Sequence, residues 1–333
     1  LEFQTCALPI YAVRCDALIS GEKIHPEKWA EVDELLKRFA TAGSERAQDY
    51  AVIKHIIVNN LYGVDLEKQA TEIAKLRLFL KLVSLLEPGD DIEPLPDIDF
   101  NIRHGNTLVG YATADETEKA VKGGVQKRMG GEEEWANIAL QLAAVEQQYN
   151  QFQIQQVQRG GHVSPADKQE LIDKLAALEE ILNYHLAREY GINTTKTADY
   201  EKWKTSHQPF HWYVDFYPLM VSGGFDAIIG NPPYLEFREI DYDLRGYKTT
   251  DSSAVHAVCI ERSNELLQPN GAMSMIVPLA LVSTQRMKVV QKILEKGRTT
   301  WYSNFAWRPA KLFDTVNRAL TIFVVAHGGT GKT

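Results

Sequence analysis

The order of apolar and polar residues predicts alternating helices and strands in the first third of the chain. Residues 45–58 fit a helix, and LYGVDL (61–66) fits a short buried strand whose end carries a carboxylate. A second helix follows over 67–86, and DIDFNIRHGNTLVG (97–110) fits a strand that turns into a polar loop. Helices that alternate with short strands in this way are typical of a parallel α/β sheet.

The second of these helices carries an apolar stripe. In EKQATEIAKLRLFLKLVSLL (67–86), apolar side chains recur at spacings of three and four, at Ile73, Leu76, Leu80 and Val83. An amphipathic helix of a globular protein turns such a stripe toward the core. We therefore expect this face of the helix to pack against the sheet.

A different pattern occupies residues 131–190. On both sides of the segment GGHVSP, apolar side chains recur at spacings of three and four, at Trp135, Ile138, Leu142, Val145, Tyr149 and Phe152 and then at Leu171, Leu175, Leu178 and Leu182. The pattern predicts two amphipathic helices packed antiparallel, with Ser164 as N-cap and Pro165 as first residue of the second helix. Packing within one chain is favoured over a dimeric coiled coil.

The α/β pattern resumes after this helical pair. FDAIIG (225–230) fits a buried strand, and ELLQPNGAMSMIVPLALV (265–282) fits a helix end, a Pro-Asn-Gly turn and another strand. RALTIFVVA (318–326) fits a last strand. We infer an α/β fold in which a helical hairpin over 131–190 interrupts one sheet and does not separate two domains.

Composition places the chain among globular proteins, since it has 333 residues, of which 44% are apolar and 24% charged. It has no apolar run of about 18 residues and no secretory leader pattern. Its cysteines, Cys6, Cys15 and Cys259, form neither a metal-like nor a redox-like pair. We therefore expect a soluble, cytoplasmic protein with neither a membrane span nor a metal site.

The charge is unevenly distributed along the chain. A net charge of −8 argues against a polyanionic partner for the molecule as a whole. One stretch over 286–318 is nevertheless basic, with Arg286, Lys288, Lys292, Lys296, Arg298, Arg308, Lys311 and Arg318 against only Glu295 and Asp314. One face of the protein is thus a candidate surface for nucleic acid, and a solvated surface of mixed charge remains the alternative.

Two polar residues follow the first two predicted strands. Asp65 stands at a strand end just before a helix, and Asn106 lies in the loop after the next strand, beside Gly105. Open α/β sheets bind ligands outside the carboxyl ends of their strands, where a carboxylate commonly accepts the hydroxyl groups of a ribose. The local alternatives are a helix cap for Asp65 and an Asx turn for Asn106.

The stretch FDAIIGNPPY carries a stronger signal. A strand ends abruptly in Asn231, Pro232, Pro233 and Tyr234. The side-chain oxygen of Asn231 and the carbonyl of Pro232 are two acceptors held at a fixed separation, because proline fixes φ and has no N–H. Two acceptors suit one NH2 group, whose nitrogen is thereby directed toward a tetrahedral, nucleophilic form. Tyr234 is placed to stack on a planar substrate.

These segments resemble a known enzyme family. NNLYGVDLEKQATEIAKLRLFLKL, DFNIRHGNTLVG, GGFDAIIGNPPYLEF and LLQPNGAMSMIVP are similar to consecutive motifs of DNA adenine-N6 methyltransferases of the NPPY class. This class occurs in fused, type IIG-like restriction–modification enzymes and in related phage-defence systems. The resemblance covers residues 45–326 and implies a Rossmann-like methyltransferase sheet with an inserted helical hairpin.

The resemblance also implies a cofactor and a substrate. The cofactor is S-adenosyl-L-methionine, with Asp65 on the ribose hydroxyls, Leu66 against the adenine, Asn106 on the exocyclic edge of the adenine, and Thr107 and Leu108 in the same loop. Asn231, Pro232, Pro233 and Tyr234 then surround an adenine extruded from double-stranded DNA, and Phe313 flanks the base from the opposite side. For Phe313, plain core packing is the alternative. The basic stretch 286–318 is expected beside the DNA phosphates.

The sequence also departs from the family pattern. A glycine-rich Asp-Pro-x-Cys-Gly-Ser-Gly motif is expected before residue 45 and is absent, and a DNA-reading domain usually follows the last strand. We therefore divide the chain into a remnant over 1–44, a truncated catalytic domain over 45–326 and a truncated end over 327–333. Whether residues 1–16 are native is left open. A specificity or nuclease domain is expected in a longer parent, and the activity is expected of that parent and not of the fragment itself.

Two other functions remain open, and one further motif is better explained as a surface loop at a truncated end. AHGGTGKT (326–333) formally matches a P-loop, but no residues follow it to form the helix that a P-loop needs. Loops of the NPPY type also resemble those of methyltransferases that act on protein glutamine or on guanine-N2 of ribosomal RNA. Asp65 and Asn231 are 166 residues apart here, which favours the large DNA enzymes. A degenerate, non-catalytic DNA-binding subunit is the remaining alternative.

Overall fold

The computed structural model describes residues 11–13, 44–86, 95–123, 129–158, 164–308, 311–313 and 317–326. The strands are β1 (Tyr11–Val13), β2 (Leu61–Asp65), β3 (Ile102–His104), β4 (Phe225–Gly230), β5 (Leu267–Pro278), β6 (Thr299–Phe305) and β7 (Leu320–Ala326). The helices are α1 (Glu45–Asn59), α2 (Lys68–Val83), α3 (Ala114–Lys122), α4 (Gly131–Gln158), α5 (Pro165–Glu189), α6 (Thr197–His207), α7 (Trp212–Asp215), α8 (Tyr217–Val221), α9 (Val255–Leu266), α10 (Ala280–Ser283) and α11 (Lys288–Glu295). The expected mixed α/β class is confirmed.

The strands form one seven-stranded sheet in the order β3-β2-β1-β4-β5-β7-β6. β2 pairs parallel with β3, and β4 pairs parallel with β5. β1 runs antiparallel to both β2 and β4, so β2 and β4 share one direction. β7 is antiparallel to its two neighbours, β5 and β6. The carboxyl ends of β2, β3, β4 and β5 therefore lie at the same edge of the sheet.

The Pro-Asn-Gly sequence lies inside β5 and does not form a separate turn before it. Phe225 pairs with Leu267, whereas Ala227, two residues later, pairs with Ala272, five residues later. This register shift accommodates Pro269, whose nitrogen has no hydrogen to donate to a regular ladder. The strand thus begins earlier than the sequence predicts, with an irregularity where the turn was expected.

The main core lies between one face of the sheet and the helices that follow β4 and β5. Strands β4, β5 and β7 bury Phe225, Met275 and Phe323 against Ile260 of α9 and Leu294 of α11. Alternation of buried and partly exposed residues along β5 and β7 shows that the opposite side chains face away from this core. Buried side chains thus recur at every second residue along these strands. The carboxyl ends of the strands remain available for a site.

The face that α2 packs against the sheet is not the one expected from sequence. Ile73, Leu76, Leu80 and Val83 are each about half exposed, between 47% and 58%. The buried side of the helix instead uses Ala74, Leu78, Phe79 and Leu82, which pack with Ile57 of α1 and with Ile98 and Ile102 near β3. The prediction was wrong because α2 is apolar on two sides, and spacings of three and four occur on both.

The apolar stripes over 131–190 are buried against each other. Ile138 and Leu142 of α4 and Leu178 and Leu182 of α5 are almost fully buried in one cluster. Gln148 donates a hydrogen bond to Glu170, and Gln155 donates one to Asp167, so residue numbers rise along one helix as they fall along the other. The Ser164 hydroxyl accepts from the Asp167 amide, which makes it the N-cap of α5, with Pro165 at the first turn.

A buried ionic cluster joins α5 to the sheet. Arg103 of β3 pairs with Glu179 of α5 at 2.9 Å and with Asp215 of α7. Burial alone lowers the pKa of a guanidinium, but Asp215 and Glu179 more than offset this effect, so that the pKa of Arg103 is raised. Arg103 therefore stays charged and holds the two helices beside the strand that leads into the loop containing Asn106.

The described helices include none that is long and apolar enough to cross a membrane. The remnant predicted over 1–44 lies outside the described residues except for β1 and Ser44. The segment 327–333, with its P-loop-like pattern, also lies outside them.

We predict that the two sides of α4 respond differently to truncation. Leu142 is fully buried, whereas Leu140 on the same helix is 73% exposed. Leu142→Ala should lower the free energy of unfolding by ~2–5 kcal/mol, since it leaves a cavity in the helix pair. Leu140→Ala, the matched control, should change it by less than ~0.5 kcal/mol. Urea unfolding measures both, and equal effects would show that α4 does not pack as described.

Candidate active site

Three loops meet at the carboxyl edge of the sheet. The strand order reverses at β1, because β2 and β3 lie on one side of it and β4 and β5 on the other. Open α/β sheets bind ligands at such a reversal point. The loops that follow β2, β3 and β4 here line one cleft, together with α9 and β5, through Leu66, Gly105, Asn106, Thr107, Leu108, Gly230, Asn231, Pro232, Pro233, Tyr242, Val255, Cys259 and Met275.

Seven of the ten residues proposed from sequence line this cleft. They are Leu66, Asn106, Thr107, Leu108, Asn231, Pro232 and Pro233. Asp65 directly precedes Leu66, and Tyr234 directly follows Pro233, but neither lines the cleft itself. Residues far apart in the sequence are thus brought together around about 520 Å3 of empty space that is open to solvent.

Asp65 is buried with only half of its hydrogen-bonding capacity used. Its Oδ1 atom accepts a 2.7 Å hydrogen bond from the amide of Glu67, and Glu67, not Asp65, is the N-cap of α2. Its Oδ2 atom is buried and has no hydrogen-bond partner. Burial raises the pKa of Asp65 to about 6, while the bond from Glu67 lowers it. A donor that bonded Oδ2 would stabilise the ionised form, so the site fits a hydroxyl group.

Asn106 also has one bonded and one unpartnered polar atom in its side chain, but the unpartnered atom is a hydrogen-bond donor and not an acceptor. Its Oδ1 atom accepts from the amide of Leu108 at 3.1 Å, which is the Asx turn suggested by the sequence. The Leu108 amide can only donate, so it fixes the orientation of the Asn106 carboxamide. The Nδ2 atom is buried without a partner. Asn106 therefore offers a donor to the cleft, which suits a ring nitrogen and not an exocyclic amine.

A second chain segment behind the Asn106 loop holds it in place. The Asn106 amide donates to the carbonyl of Gln208 at 2.7 Å, and the Phe210 amide donates to the carbonyl of Val109 at 2.8 Å. Gly110 has a φ of +142°, and a Cβ atom there would lie 2.0 Å from the carbonyl oxygen of Phe210. Only glycine permits this approach.

A buried histidine ties the same loop to α5. His211 accepts a 3.2 Å hydrogen bond from the Tyr111 amide at Nδ1, and its Nε2 lies 3.1 Å from Oδ1 of Asn183. Burial lowers the pKa of His211 to about 3, so the ring is neutral. Nδ1 must then be the bare acceptor and Nε2–H the donor to Asn183. This tautomer satisfies both partners at once.

The backbone carbonyls of the loop are also occupied. The Thr107 carbonyl accepts from the indole N–H of Trp212 at 3.1 Å, and the Leu108 carbonyl accepts from the hydroxyl of Tyr247 at 2.7 Å. Arg262 in turn donates to Tyr247 and to the carbonyl of Gly110. These donors come from three different parts of the chain, so the loop is held by several independent contacts.

The loop after β4 contains a second preformed pair. Pro232 is buried, Asn231 is exposed, and the Tyr234 hydroxyl donates to Oδ1 of Asn231 at 2.7 Å. The same hydroxyl lies 3.2 Å from the carbonyl oxygen of Ile276 in β5. Burial raises the pKa of Tyr234 to about 12, so its proton remains available for this bond. Tyr234 therefore orients the Asn231 side chain in the ligand-free protein, a contact the sequence did not suggest.

Sequence reasoning missed six residues that line the cleft: Gly105, Gly230, Tyr242, Val255, Cys259 and Met275. The two glycines directly precede Asn106 and Asn231, so their positions were accessible from the motifs. Val255 and Cys259 lie one turn apart on α9, for which no periodicity was recognised. Burial raises the pKa of Cys259 to about 12, so its thiol acts as a small apolar wall.

Two sequence expectations for the C-terminal region need revision. Phe313 is 42% exposed, so the alternative that assigned it to the core is wrong, while its role beside a base stays a prediction. In the basic stretch, Arg286 pairs with Glu236, Arg298 donates to Asn264, and Arg318 donates to the carbonyl of Tyr234. These three guanidinium groups therefore have protein partners and are not simply free for phosphates.

Comparison with known proteins gives the context of this geometry. The family model described as "Eco57I restriction-modification methylase" matches residues 59–313. A protein of Methanocaldococcus jannaschii, named a "Putative type II restriction enzyme and methyltransferase", is 29% identical over 305 residues. That alignment covers 79% of this chain and 26% of the relative, so the chain spans about a quarter of the relative's length.

The half-satisfied Asp65 leads to a pH-dependent prediction. Its pKa is about 6 in the folded protein and 3.8 when unperturbed, so between these values the unfolded chain loses a proton that the folded protein keeps. Stability attributable to Asp65 therefore falls as pH rises, by on the order of 2–3 kcal/mol once pH exceeds 6. Asp65→Asn, which still accepts from Glu67, should gain that amount over the parent between pH 4 and 7.

Urea unfolding at a series of pH values measures this difference. Asp49→Asn, which removes an exposed carboxylate, controls for the loss of one negative charge. A difference between Asp65→Asn and the parent that stays constant across the range would contradict the burial of an incompletely bonded carboxylate.

Proposed function

The chain belongs to the Eco57I restriction-modification methylase family, and from that premise we propose that it transfers a methyl group from S-adenosyl-L-methionine to adenine N6 in double-stranded DNA. The observation that carries the proposal is the cleft at the carboxyl edge of the sheet, which Asn106 and the Asn231–Pro232 acceptor pair line and which Asp65 directly adjoins through Leu66. Asp65 and Asn106 each keep one buried, unpartnered polar atom. These two atoms suit a nucleoside, and the acceptor pair suits an amine. Both requirements of a nucleobase methyltransferase thus meet at one edge of the sheet.

Asp65 and Asn106 are the residues that would hold the cofactor. When bound, S-adenosyl-L-methionine supplies an activated methyl group. Oδ2 of Asp65 lacks a donor, as a ribose hydroxyl would provide, and Nδ2 of Asn106 lacks an acceptor, as a purine ring nitrogen would provide. Leu66 and Leu108 line the same cleft and supply apolar contact to a flat base. Each unpartnered buried atom thus has a matching group on the proposed ligand.

Asn231 and Pro232 are the proposed activators of the target amine. An exocyclic amine is a weak nucleophile because its lone pair is delocalised into the ring. Two acceptors that take both of its hydrogens favour a tetrahedral nitrogen, whose lone pair then points out of the ring plane. The nitrogen would gain the methyl carbon as the bond from that carbon to the cofactor's sulfonium sulfur breaks, which leaves a neutral thioether as the second product. The nitrogen then gives up one proton to solvent. Because the loop is proline-rich and Asn231 is already oriented by Tyr234, little reorganisation is needed.

DNA must present the adenine outside the duplex. N6 lies within the base stack, so an enzyme that acts on it extrudes the nucleotide into a pocket. The Tyr234 ring next to the loop and the exposed Phe313 ring are the aromatic groups that we assign to the two faces of the base. The exposed Lys288 and Lys292 of α11 are proposed contacts to the phosphates.

We also propose that this activity operates together with restriction. The name of the Methanocaldococcus relative combines a restriction enzyme with a methyltransferase, and this chain matches about a quarter of that protein. Methylation of adenine in a recognition sequence would protect host DNA from the partner nuclease. The nuclease and the element that reads DNA sequence are assigned to the larger protein of this family.

Replacing Asn231 tests the reaction. With tritiated S-adenosyl-L-methionine and duplex DNA, the parent should label N6 of adenine, and Asn231→Ala should lose at least about 100-fold in rate because one of two acceptors is removed. Circular dichroism and the melting temperature should stay unchanged, since Asn231 is exposed. Labelling of protein glutamine or ribosomal RNA guanine but not of DNA, or equal labelling by the variant, would overturn the proposal. DNA binding without any transfer would identify a non-catalytic subunit.

An isosteric change tests the cofactor assignment without a reaction. Asn106→Asp keeps the oxygen that accepts from Leu108 and replaces the free donor by an acceptor. Affinity for S-adenosyl-L-methionine, measured by titration calorimetry, should fall at least about tenfold. The exposed Asn270 in β5 provides the control variant Asn270→Asp, which should bind normally. Unchanged binding by Asn106→Asp would remove Asn106 from the cofactor site.

A further inference from the structure

Two arginines from distant parts of the chain bond the segment that leaves the catalytic loop. Arg286 donates from Nη1 and Nη2 to the two carboxylate oxygens of Glu236, at 3.1 and 2.9 Å. Arg318 donates from Nη1 to the backbone carbonyl of Tyr234 at 2.9 Å. These contacts span 50 and 84 residues of sequence. Both reach a segment of three residues directly after the Pro-Pro pair.

The same segment is also bonded to the start of α9. The Val255 amide donates to the carbonyl of Leu235, and the Phe237 amide donates to the carbonyl of Ser253, both at 2.9 Å. Glu236 and Ala254 form an isolated antiparallel bridge between these two segments of the chain. The segment 234–237 is therefore bonded both to the start of α9 and to the two arginines.

A buried histidine of α9 lies close enough to Arg286, Arg318 and Glu236 to feel the charge of all three. His256, next to Val255 on α9, is 3% exposed, and neither of its ring nitrogens has a hydrogen-bond partner. Burial, together with Arg286 and Arg318, lowers its pKa to about 4, and Glu236 opposes this effect. Arg286, Arg318 and Glu236 are thus all within electrostatic range of one neutral imidazole. A neutral ring there adds no positive charge beside the two guanidinium groups.

We propose that Arg286 and Arg318 are positioning residues that hold Tyr234 and, through its hydroxyl, the Asn231 side chain in the geometry required for methyl transfer. The proposal rests on the function assigned above and gives these two arginines a role other than contact with DNA phosphates. The connection is continuous: Arg318 bonds the Tyr234 carbonyl, and the Tyr234 hydroxyl bonds Oδ1 of Asn231.

The geometry of the pairs supports positioning over phosphate binding. Arg286 uses both ends of its planar fork on one carboxylate, a bidentate arrangement that fixes direction as well as distance. Glu236 and Arg286 are both partly exposed, so the pair adds little to global stability. Its effect is therefore expected in the local order of the loop. Lys288 and Lys292 are exposed without such partners among the described residues and are better placed for phosphates.

We call the contacts of Arg286 and Arg318 with residues 234–236 the clamp. Hydrogen exchange tests this clamp independently of activity. Arg286→Glu and Arg318→Ala should each raise amide exchange in residues 234–239 by about tenfold, the effect of losing one charge-assisted hydrogen bond. Exchange in α5 should stay unchanged. The double variant Arg286→Glu with Glu236→Arg should restore slow exchange, because the ion pair is re-formed in reverse. If neither single variant changed local exchange, or the reversed pair failed to restore it, the clamp would be refuted.

Kinetics then separate positioning from DNA binding. Arg318→Ala should lower kcat about tenfold with KM for DNA within about twofold, and Arg318→Lys should recover part of the loss because it keeps one donor. Lys292→Gln should instead raise KM and reduce the salt slope of DNA binding by about one. Arg77→Ala, an exposed arginine on α2, is the neutral control.

A fall in salt slope for Arg318→Ala at constant kcat would show that the arginine contacts phosphate and would overturn the proposal. A parent without methyl-transfer activity would count against the proposed function only, since the exchange experiment still decides whether the clamp exists. Melting temperatures of all variants should stay within a few degrees of the parent, which excludes general unfolding as the cause.

Discussion

The shared direction of β2, β3 and β4 is the constraint on which the site depends. Asp65, Asn106 and Asn231 each follow a different strand, and only strands that run the same way deliver their final residues to one edge. β1 fixes this relation because it pairs antiparallel with both β2 and β4. Segments separated by more than a hundred residues thereby line one cleft. The sequence of each loop determines which polar groups it carries, but the pairing of the strands determines which loops meet.

The residues Asp65 and Asn106, which follow β2 and β3, share a second property: each has one bonded and one unpartnered polar atom in its side chain. Asp65 and Asn106 use one polar atom for a turn and leave the second buried and unpartnered. Leaving such atoms unpaired lowers stability, and the surrounding scaffold compensates for it. The Arg103 cluster and the His211 tautomer connect the loop after β3 to α5. The helical pair 131–189 therefore buttresses the loop after β3, in addition to burying its own apolar stripe.

Much of this could be predicted from the sequence, and the failures have physical reasons. The helical pair and the NPPY loop were predictable because their signals are periodic or short-range. The buried face of α2 was not, because two apolar stripes share the same spacing and only the sheet selects between them. The partners of Arg286 and Arg318 lie 50 and 84 residues away, and no local pattern encodes such distances. The donor character of Asn106 depended on which of its atoms the turn consumes.

The bond between Tyr234 and Asn231 has a consequence for which bases the loop accepts. The asparagine oxygen already accepts a hydrogen bond from the Tyr234 hydroxyl. An entering base must bring a donor of its own to the second lone pair of that oxygen. Thymine and guanine present a carbonyl oxygen where adenine presents an amine, and oxygen would then face oxygen. Under the proposed function, the loop would exclude keto bases by repulsion, in addition to attracting amino bases.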